Sequence, residues 1–448
     1  MHPILLGMRP LGEESGRFLR IHPIHTAYPI HYNPLSQRFE NWSGLHVMAE
    51  EVLVPLPRGF LAAGVHCGIK KDPALLDLSM FVSRKPATAA GVFTTNLVHG
   101  APVKVSRARV PRATSRAVVV NSGNSNACTG DRGLDDARWM TGQIARALDC
   151  PDEDVLVCST GVIGRFLPRD RLEPGLQAVT RALNDGPSAL RTAAQGIMTT
   201  DTFPKLSTRS APLPGGEIRV SGVAKGAAMI APNMATMLSV ILTDAALTPM
   251  QADTLLRHAV NRSFNCISVE GHMSTSDTVL LLANGEAGPP PASPAELEQV
   301  QGLLDEVAAE LAQAIIQDAE GADHLITIDV AGLRTHDEAY RIAKAVAESP
   351  LVKTAITGGD PNWGRIVSAV GYAGVQLEER DISLRLNGIP LYRAGTPVEF
   401  DAAAVSASIK GLRQVHIELE FTLGRESLRF WTCDLTAEYV RLNADYTT

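Results

Sequence analysis

The sequence predicts a mixed α/β fold, built as a layered sandwich of sheets and helices. Short apolar runs bounded by turn residues, at 117–121, 155–161 and 237–242, are typical of buried strands. They are separated by segments such as 134–148, whose apolar residues recur on one face of a helix. The length of 448 residues and the hydrophobic content of 45% allow a large core, in two or three domains or one composite unit.

Composition excludes several classes of partner. The net charge is −7, there is no run of Lys or Arg, and aromatic residues make up only 5%, which argues against nucleic-acid binding. No apolar stretch reaches the ~20 residues that span a bilayer, so we expect a cytoplasmic protein without membrane contact. The six cysteines are scattered without the spacing of a zinc site. We therefore expect no metal ion, and we expect buried, reduced cysteines.

Residues 1–47 differ from the rest of the chain. They contain five of the 12 histidines and show no helical or strand period. We interpret this segment as a disordered extension, or as sequence upstream of a true start at Met48; a transit peptide is the alternative. No apolar segment follows a basic start, so a secretory signal is not expected.

The first half of the patterned sequence predicts strands joined by polar turns. The pattern at 53–65 predicts the first strand, with glycines that allow close backbone packing. The strand at 117–121 leads into a polar loop at 121–130, which is either a turn or part of a site. We expect 49–130 to consist of strands and turns, and we expect a helix near 169–184.

The second half carries three helix-start signals. Thr248, Ser293 and Thr335 each stand three residues before Gln or Glu, which is the pattern of a capping box. The helix after Ser293 is predicted to be long, and the helix after Thr335 to end near residue 349. The buried stripe of the longer helix comprises Leu297, Val300, Leu304, Val307, Leu311 and Ile315.

Proline and glycine mark the remaining boundaries. Three consecutive prolines at 289–291 indicate a linker near 286–293. The Gly- and Pro-rich turn at 358–365 is either a phosphate-binding turn or a structural corner. From 381 to 431 the pattern predicts strands and hairpins, with a two-residue turn at 387–388.

Thr236 is the first candidate for chemistry. It follows the turn residues Pro232 and Asn233 and stands before the strand at 237–242, so its hydroxyl would lie at the mouth of a core strand. A hydroxyl held there is a candidate nucleophile. Thr is also a common strand residue, and a purely structural role is the alternative.

Two further hydroxyl-bearing segments are candidates. Thr160 and Gly161 end a predicted strand, where such a pair can present a hydroxyl and a backbone N–H side by side, as an oxyanion hole requires. The alternative is an ordinary glycine between strand and loop. The hydroxyl-rich turn at 199–202 can cap a helix or hold a carboxylate.

Three carboxylates complete the set. Glu320 follows the long helix, where the helix dipole disfavours a negative charge, and such a local violation hints at function. Asp277 and Glu270 lie in a polar loop. They are candidate acids or bases, and solvation of the loop is the alternative.

Taken in order, these segments resemble the ornithine acetyltransferase / glutamate N-acetyltransferase family of arginine biosynthesis. The resemblance runs from about Gly59 to Thr448 and leaves residues 1–58 largely outside. Each motif by itself is weak, whereas their ordered conjunction is specific. The matching segments are 62–65, 90–94, 121–124, 159–164, 199–202, 225–238, 274–275, 360–365 and 443–448.

The resemblance implies a self-processing enzyme of the N-terminal-nucleophile type. The bond between Ala235 and Thr236 is cut, which separates an α chain, 48–235, from a β chain, 236–448. Cleavage would give Thr236 a free α-amine of pKa ~8, which can take the proton of its own hydroxyl. In the precursor, the same hydroxyl can attack the Ala235 carbonyl and form an ester that water opens.

The implied reaction is a ping-pong transfer of the acetyl group from N-acetylornithine to glutamate through acetyl-Thr236. Thr160 and Gly161 correspond to the oxyanion hole of the family. Lys225 suits a carboxylate and Glu320 suits an amine. The family also implies two α and two β chains, no cofactor, and acetyl-CoA as a co-substrate of bifunctional members. The positions that match substrate contacts are Thr199, Lys225, Thr236, Glu320, Asn443 and Thr448.

The chain departs from the family pattern at several positions. Ala228 stands where Gly is usual, Asp323 and His324 stand where Thr and Lys are expected, and the loop at 270–277 is less acidic. Two other functions stay open at this point. One is a related N-terminal-nucleophile amidohydrolase or aminopeptidase, in which water replaces glutamate. The other is an uncleaved relative that only binds amino acids.

Overall fold

The computed structural model describes residues 53–229 and 237–445. The expectations for 1–47, and for Ala235, Thr236 and Thr448, therefore lie outside the described residues. The described residues belong to one compact unit. Among the described helices, none is both long and apolar enough to cross a membrane.

The strands of the described part of the chain come in groups of one to three, with α-helices between the groups. In order they are β1 (Phe60–Val65), β2 (Leu78–Phe93), β3 (Arg112–Asn124), β4 (Val155–Val162), β5 (Lys205–Leu213), β6 (Gly216–Lys225), β7 (Leu238–Thr243), β8 (Ile267–Ser268), β9 (Thr278–Ala283), β10 (Leu325–Leu333), β11 (Ile382–Leu386), β12 (Ile389–Arg393), β13 (Thr396–Pro397), β14 (Gln414–Phe421) and β15 (Glu426–Cys433).

The α-helices of the same ranges are α1 (Ala101–Arg107), α2 (Gly130–Leu148), α3 (Arg169–Ala182), α4 (Ala189–Ile197), α5 (Pro249–Asn261), α6 (Pro294–Gln317), α7 (His336–Ala347), α8 (Pro350–Gly358), α9 (Trp363–Gly371), α10 (Ala402–Lys410) and α11 (Ala437–Asp445).

The strands form two sheets. The first has the order β4-β3-β2-β9-β7-β6-β5, and β1 also pairs with β2. The second has the order β13-β12-β11-β14-β10-β15-β8. In the first sheet, the pairs β3–β4 and β7–β9 are parallel, while β6 and β7 run antiparallel. The mixed α/β class predicted from the sequence is confirmed.

Helices cover both faces of the first sheet. Successive residues of a strand point to opposite faces, so neighbouring residues of one strand pack in different clusters. Leu280 faces a cluster with α4, whereas Leu281 faces a cluster with α5, α6 and the second sheet. Met80 packs in a third cluster with α2 and α3. Helix α6 contacts both β6 of the first sheet and β15 of the second. The predicted layered arrangement of sheets and helices is thus confirmed.

The long periodic elements agree with the sequence. Strand β7 is buried at every residue, and α6 buries the predicted stripe from Val300 to Ile315, with Leu297 half-buried at its start. The β11–β12 hairpin turns at Asn387 and Gly388, both at positive φ, as the Asn-Gly signal predicted.

Short helices were missed. Helix α1 interrupts 49–130 and α10 interrupts 381–431, where only strands and turns were expected. Asp401 explains α10, because its carboxylate accepts hydrogen bonds from Ala403 N and Ala404 N and so caps the helix. Pro102 favours α1 for a different reason, because its fixed φ suits the first turn of a helix, where an N–H has no partner within the helix.

Only one of the three predicted capping boxes is complete. Thr248 and Gln251 satisfy each other's backbone N–H. Ser293 accepts from Glu296 N at 3.2 Å, but the Glu296 carboxylate accepts from Ala292 N, one residue before the cap. The same displacement occurs at Thr335, where the following Glu accepts from the residue before the cap.

The expectation of buried cysteines holds for only part of the set. Cys158, Cys266 and Cys433 are buried, and burial raises the pKa of the Cys158 thiol to about 12. Cys128 is exposed, because it lies in the polar loop after β3 with a φ of +57°. For Cys128 the expectation is wrong.

Candidate active site

The described chain resumes at Met237, one residue after the predicted nucleophile. Strand β7 begins at the next residue and pairs with the end of β6, with Leu238 opposite Lys225. Met237 N donates to Asp277 Oδ1 at 3.1 Å, and Met237 O accepts from Thr278 N at 3.2 Å. Strands β6 and β9 therefore fix the backbone at this point.

Thr160 and Gly161 lie near the end of β4, beside β3. Thr160 is buried, and Gly161 has a φ of +124°. A methyl group at Gly161 would come within 2.4 Å of the Gly123 carbonyl carbon and 2.6 Å of Asn124 N. Only glycine allows the two strands to approach this closely with this conformation.

The polar loop after β3 supports the same corner. Asn121 donates to Asn124 O at 2.8 Å and accepts from Ser159 Oγ at 2.6 Å. Asn124 in turn donates to Phe166 O at 3.1 Å. The loop predicted to be either a turn or part of a site is a buried network of hydrogen bonds that holds the ends of β3 and β4 together.

Lys225 connects this corner to β6. Its side chain is buried, and Nζ lies 3.4 Å from Thr160 Oγ1. Burial lowers the pKa of Lys225, while the nearby carboxylate of Asp201 acts in the opposite direction. A buried ammonium beside a hydroxyl can bind the carboxylate of a ligand.

A second buried lysine holds two carboxylates. Lys205 Nζ is 2.7 Å from Asp201 Oδ1 and 2.6 Å from Asp318 Oδ2, and the side chain of Lys205 is fully buried. We call Asp201, Lys205 and Asp318 the buried charge cluster. Burial alone would raise the pKa of Asp201, but the ammonium groups of Lys225 and Lys205 outweigh it and bring the pKa to about 2.

The buried charge cluster positions the backbone around it. Asp201 accepts from Thr199 N at 2.9 Å and from Gly226 N at 2.6 Å. Asp318 accepts from the backbone N–H of Thr202 at 2.9 Å and also from its hydroxyl. The turn at 199–202 thus binds a carboxylate, which is one of the two roles that the sequence predicted. The carboxylate comes from the protein itself and not from a ligand.

Glu320 and Asn443 come from two further segments, the one that follows α6 and helix α11. Glu320 N donates to Ala227 O at 2.9 Å, so the segment after α6 lies directly against the residues that follow β6. Asn443 Nδ2, on α11, donates to Glu320 Oε2 at 3.3 Å and to Tyr439 O at 3.0 Å. A carboxylate and an amide therefore face the same end of β6 as Lys225.

A cavity of about 580 Å³ opens beside Glu320. Its walls include Thr200 and Phe203 from the turn before β5, Gln317 at the end of α6, Glu320 after it, Leu442 from α11, and Arg413. This volume is within the range of small-molecule sites. Both charged and apolar walls are available to an amino-acid side chain.

Asp277 is a buried carboxyl group at the start of β9. Its Oδ1 accepts from Met237 N, whereas Oδ2 has no hydrogen-bond partner within the usual limits among the described residues. Burial raises the pKa of Asp277 well above its ordinary range, against the opposing effects of Met237 N–H, Thr94 and Lys225. The group therefore favours its protonated form more than an ordinary carboxylate does.

The structure thus brings together six of the residues that the sequence singled out. They lie around the ends of β4 and β6, the segment after α6, and α11. These residues are Thr160, Gly161, Thr199, Lys225, Glu320 and Asn443. Ala235, Thr236 and Thr448 lie outside the described residues, so their roles stay predictions.

Sequence reasoning missed Lys205 and Asp318. They are separated by 113 positions, and neither belongs to a recognisable motif. Their only signal is that one follows a hydroxyl-rich turn and the other ends a long helix. The turn at 358–365 lies between α8 and α9, where Trp363 stacks on Tyr392 at 5.1 Å, which fits a structural corner; phosphate binding at this turn stays a prediction.

Two of the departures from the family pattern have local partners. His324 Nδ1 lies 2.8 Å from Asp434 Oδ2, and the backbone N–H groups of Asp323 and His324 both donate to Asp434 Oδ1. These contacts hold the start of β10 against the segment after β15. Both His324 and Asp323 therefore stabilise the fold at this point.

A comparison with protein-family models matches residues 61–448 to the ArgJ family. The chain is 44% identical over 396 residues to the arginine biosynthesis bifunctional protein ArgJ of Rhodopirellula baltica, covering 88% of this chain and 96% of that protein. It is 44% identical over 393 residues to the protein of the same name from Geobacter sulfurreducens, covering 87% and 99%.

Among solved structures, the chain is similar to ornithine acetyltransferase from Mycobacterium tuberculosis in complex with ornithine. The identity is 39% and the TM-score is 0.36, with 39% of this chain and 92% of that chain covered.

Proposed function

This chain belongs to the ArgJ family, and we propose that it transfers the acetyl group of N2-acetyl-L-ornithine to L-glutamate through an acetyl-Thr236 intermediate. It is an acyltransferase of arginine biosynthesis. The observation that best supports this site as the place of the reaction is the 3.4 Å contact between Lys225 Nζ and Thr160 Oγ1. Lys225 lies at the end of β6, the strand that precedes Thr236. A cation and a hydroxyl donor thereby face the place where a nucleophile before Met237 would act.

The first chemical step is self-cleavage. The Thr236 hydroxyl attacks the Ala235 carbonyl, the peptide C–N bond breaks, and the nitrogen takes a proton to become the α-amine of Thr236. Water then hydrolyses the resulting ester between Ala235 and the Thr236 oxygen. The products are an α chain that ends at Ala235 and a β chain that begins with Thr236.

The second step is acetyl transfer. The α-amine of Thr236, with a pKa of ~8, takes the proton of the Thr236 hydroxyl as the oxygen attacks the acetyl carbonyl. Thr160 Oγ1 and Gly161 N–H stabilise the oxyanion, and one such donor is typically worth ~3 kcal/mol. Ornithine leaves as the amine, glutamate enters, and its amine attacks the acetyl ester to give N-acetylglutamate and free Thr236.

Substrate binding uses charges of both signs. Lys225 pairs with the α-carboxylate that the two amino acids share, and Glu320 pairs with the side-chain ammonium of ornithine. Thr199, Asn443 and Thr448 complete the contacts. The buried charge cluster supports this arrangement, because Asp201 binds both Thr199 N and Gly226 N.

Three further properties belong to the proposal. We expect an assembly of two α and two β chains, use of acetyl-CoA as a second acetyl donor without any bound cofactor, and a cytoplasmic location. The assembly and the use of acetyl-CoA follow from the family resemblance, and the location follows from cysteines whose scattered pattern indicates a reducing compartment.

The test is a two-stage acetyl transfer. The protein is incubated with N-acetylornithine labelled in the acetyl group, and mass spectrometry of peptides then locates the label. We expect label on Thr236, and release of labelled N-acetylglutamate when glutamate is added. Thr160→Val should slow acetyl-enzyme formation by about 10²–10³-fold, whereas Thr354→Val, at an exposed helix position, should not.

Two other results would contradict the proposal. Release of acetate without N-acetylglutamate after glutamate is added would indicate an amidohydrolase. Binding of ornithine or glutamate by an uncleaved chain that takes up no label would indicate an amino-acid-binding protein.

A further inference from the structure

We propose that Arg413 determines the acceptor specificity of this site, by pairing with the side-chain carboxylate of glutamate in the cavity where Glu320 pairs with the side-chain ammonium of ornithine. This inference rests on the proposed function. It assigns to Arg413 a role in the second half-reaction only.

The reaction itself creates the requirement. In a ping-pong transfer, the donor and the acceptor use the same nucleophile in turn, so their α-amino and α-carboxyl groups occupy the same place. They differ at the far end of the side chain, which carries an ammonium in ornithine and a carboxylate in glutamate. One cavity must therefore accept opposite charges at the same depth.

Glu320 meets only half of this requirement. Its carboxylate attracts an ammonium and repels a carboxylate that reaches to the same depth, because like charges at contact distance repel and opposite charges attract. Glutamate would be rejected from this cavity unless a cation offsets Glu320.

Arg413 is the cationic residue among the described residues that line the cavity. Two lysines near the site are already engaged. Lys205 is enclosed between Asp201 and Asp318, and Lys225 is buried beside Thr160. A cation for the far end of glutamate has to come from the cavity wall, and Arg413 is placed there.

The fold holds Arg413 in position while leaving its guanidinium accessible. Its backbone oxygen accepts from Leu325 N at 2.8 Å, which fixes it between the starts of β10 and β14. Nη2 donates to Gln317 O, the last residue of α6, at 2.8 Å, and the side chain is exposed. Arginine has five N–H donors, so a fork remains to bind a carboxylate in bidentate geometry.

The contact with Gln317 also has a simpler interpretation. A cation at the end of a helix stabilises the helix dipole and its last carbonyl groups. That role would affect protein stability and both half-reactions alike, whereas the proposed role affects glutamate alone. The two half-reactions can therefore separate the interpretations.

The experiment compares Arg413→Gln, Arg413→Lys and the control Arg425→Gln, which alters an exposed arginine in the turn between β14 and β15. Acetyl-enzyme formation from N-acetylornithine is measured first, as the burst of ornithine. Transfer from acetyl-enzyme to glutamate is measured second, with glutamine as a neutral acceptor of the same shape.

We expect Arg413→Gln to raise the KM for glutamate about tenfold, a change equivalent to ~1.4 kcal/mol, with an ornithine burst that stays within about twofold. The preference for glutamate over glutamine should fall by a similar factor. Arg413→Lys should recover part of it, and Arg425→Gln should behave as the unaltered protein.

Equal losses in both half-reactions would overturn the proposal in favour of a helix-capping role, and so would an unchanged preference for glutamate over glutamine. A missing ornithine burst in the unaltered protein would instead overturn the proposed function, because that step does not involve glutamate.

Discussion

At the scale of single residues, the absence of a side chain at Gly161 shapes the proposed oxyanion site. The left-handed φ of +124° and the approach of Gly123 both exclude a methyl group there. Gly164, three residues later, also has a positive φ of +79°, but no heavy atom lies within 4 Å of the place that a methyl group would take. Comparing these two glycines therefore separates crowding from backbone strain.

Gly161→Ala should therefore destabilise the protein by about 1–3 kcal/mol more than Gly164→Ala, the usual range for overpacking. It should also slow acetyl-enzyme formation, because β4 must move away from β3. Urea unfolding and the ornithine burst measure the two effects. Equal behaviour of the two variants would show that crowding at Gly161 has no consequence.

Asp201 is the residue whose titration should link pH to stability. Its pKa of about 2 in the folded protein lies below the ordinary 3.8. A depressed pKa contributes stability that is present above the unfolded value and is lost as pH falls through the folded value. The contribution is about 2–3 kcal/mol at neutral pH, and it decreases from about pH 4 towards pH 2.

Asp201→Asn should lower the melting temperature at pH 7, and this deficit should narrow as pH falls from 5 to 3. Asp135→Asn, at an exposed position of α2, serves as the control and should show no such trend. Calorimetry across this range is the measurement. A deficit that stays constant with pH would contradict the charged state assigned to Asp201.

Site residues that lie in sequence motifs could be predicted, whereas the residues from distant parts of the chain that contact them could not. Thr160, Gly161 and Lys225 stand in ordered motifs beside predicted strands. Lys205 and Asp318 are 113 positions apart in sequence. They come into contact because β5 packs against α6. Nothing local to either residue indicates a buried ion pair.

At the scale of elements, α6 is the helix that joins the two sheets. Leu311 is buried on its inner face, and a methyl group at Gly222 of β6 would lie 2.9 Å from Leu311 Cδ1. Gly222 thus lets the helix approach the strand. The C-terminal end of the same helix leads to Asp318 and Glu320, so packing along α6 sets the position of the site.

Leu311→Ala should cost about 2–5 kcal/mol of unfolding free energy, because it leaves a cavity where α6 meets β6. Leu351→Ala is the matched control, since Leu351 is 59% exposed on α8, and it should cost much less. Urea unfolding of both variants measures the two losses of unfolding free energy. Similar costs would show that α6 does not form the core contact described.

Element type was predictable where the pattern was long. Helix α6 has 24 residues and a clear period, whereas α8, α9 and α10 have nine residues each and were missed. The β-branched residues of α8, such as Val352 and Ile356, also favour strands. Their helical state follows from the cap at Ser349 and from packing, which the local sequence does not contain.

At the scale of the whole molecule, the proposed cleavage separates neighbours in one sheet. After this cleavage, strand β6 would belong to the α chain and β7 to the β chain, and the two strands pair from Val220 opposite Thr243 to Lys225 opposite Leu238. The same sheet continues from β7 to β9 and β2. The two chains should therefore stay together after cleavage.

Gel filtration of the processed protein without denaturant should accordingly give a single peak that contains both chains. Separation should require urea, because the shared ladder and core must unfold first. Two separate peaks under native conditions would contradict the single sheet.

The most direct test of the account is a denaturing gel of the protein that is active in acetyl transfer. Scaling 47.9 kDa by chain length predicts a β chain of roughly 23 kDa and an α chain of roughly 25 kDa, or of roughly 20 kDa if the chain starts at Met48, as hydrolysis at the nucleophile requires. The β chain should begin with Thr236 on N-terminal sequencing. Thr236→Ala should give one full-length band, and Thr354→Ala should be processed normally. A single full-length band from the active protein would contradict the central claim that Thr236 acts as a free N-terminal nucleophile.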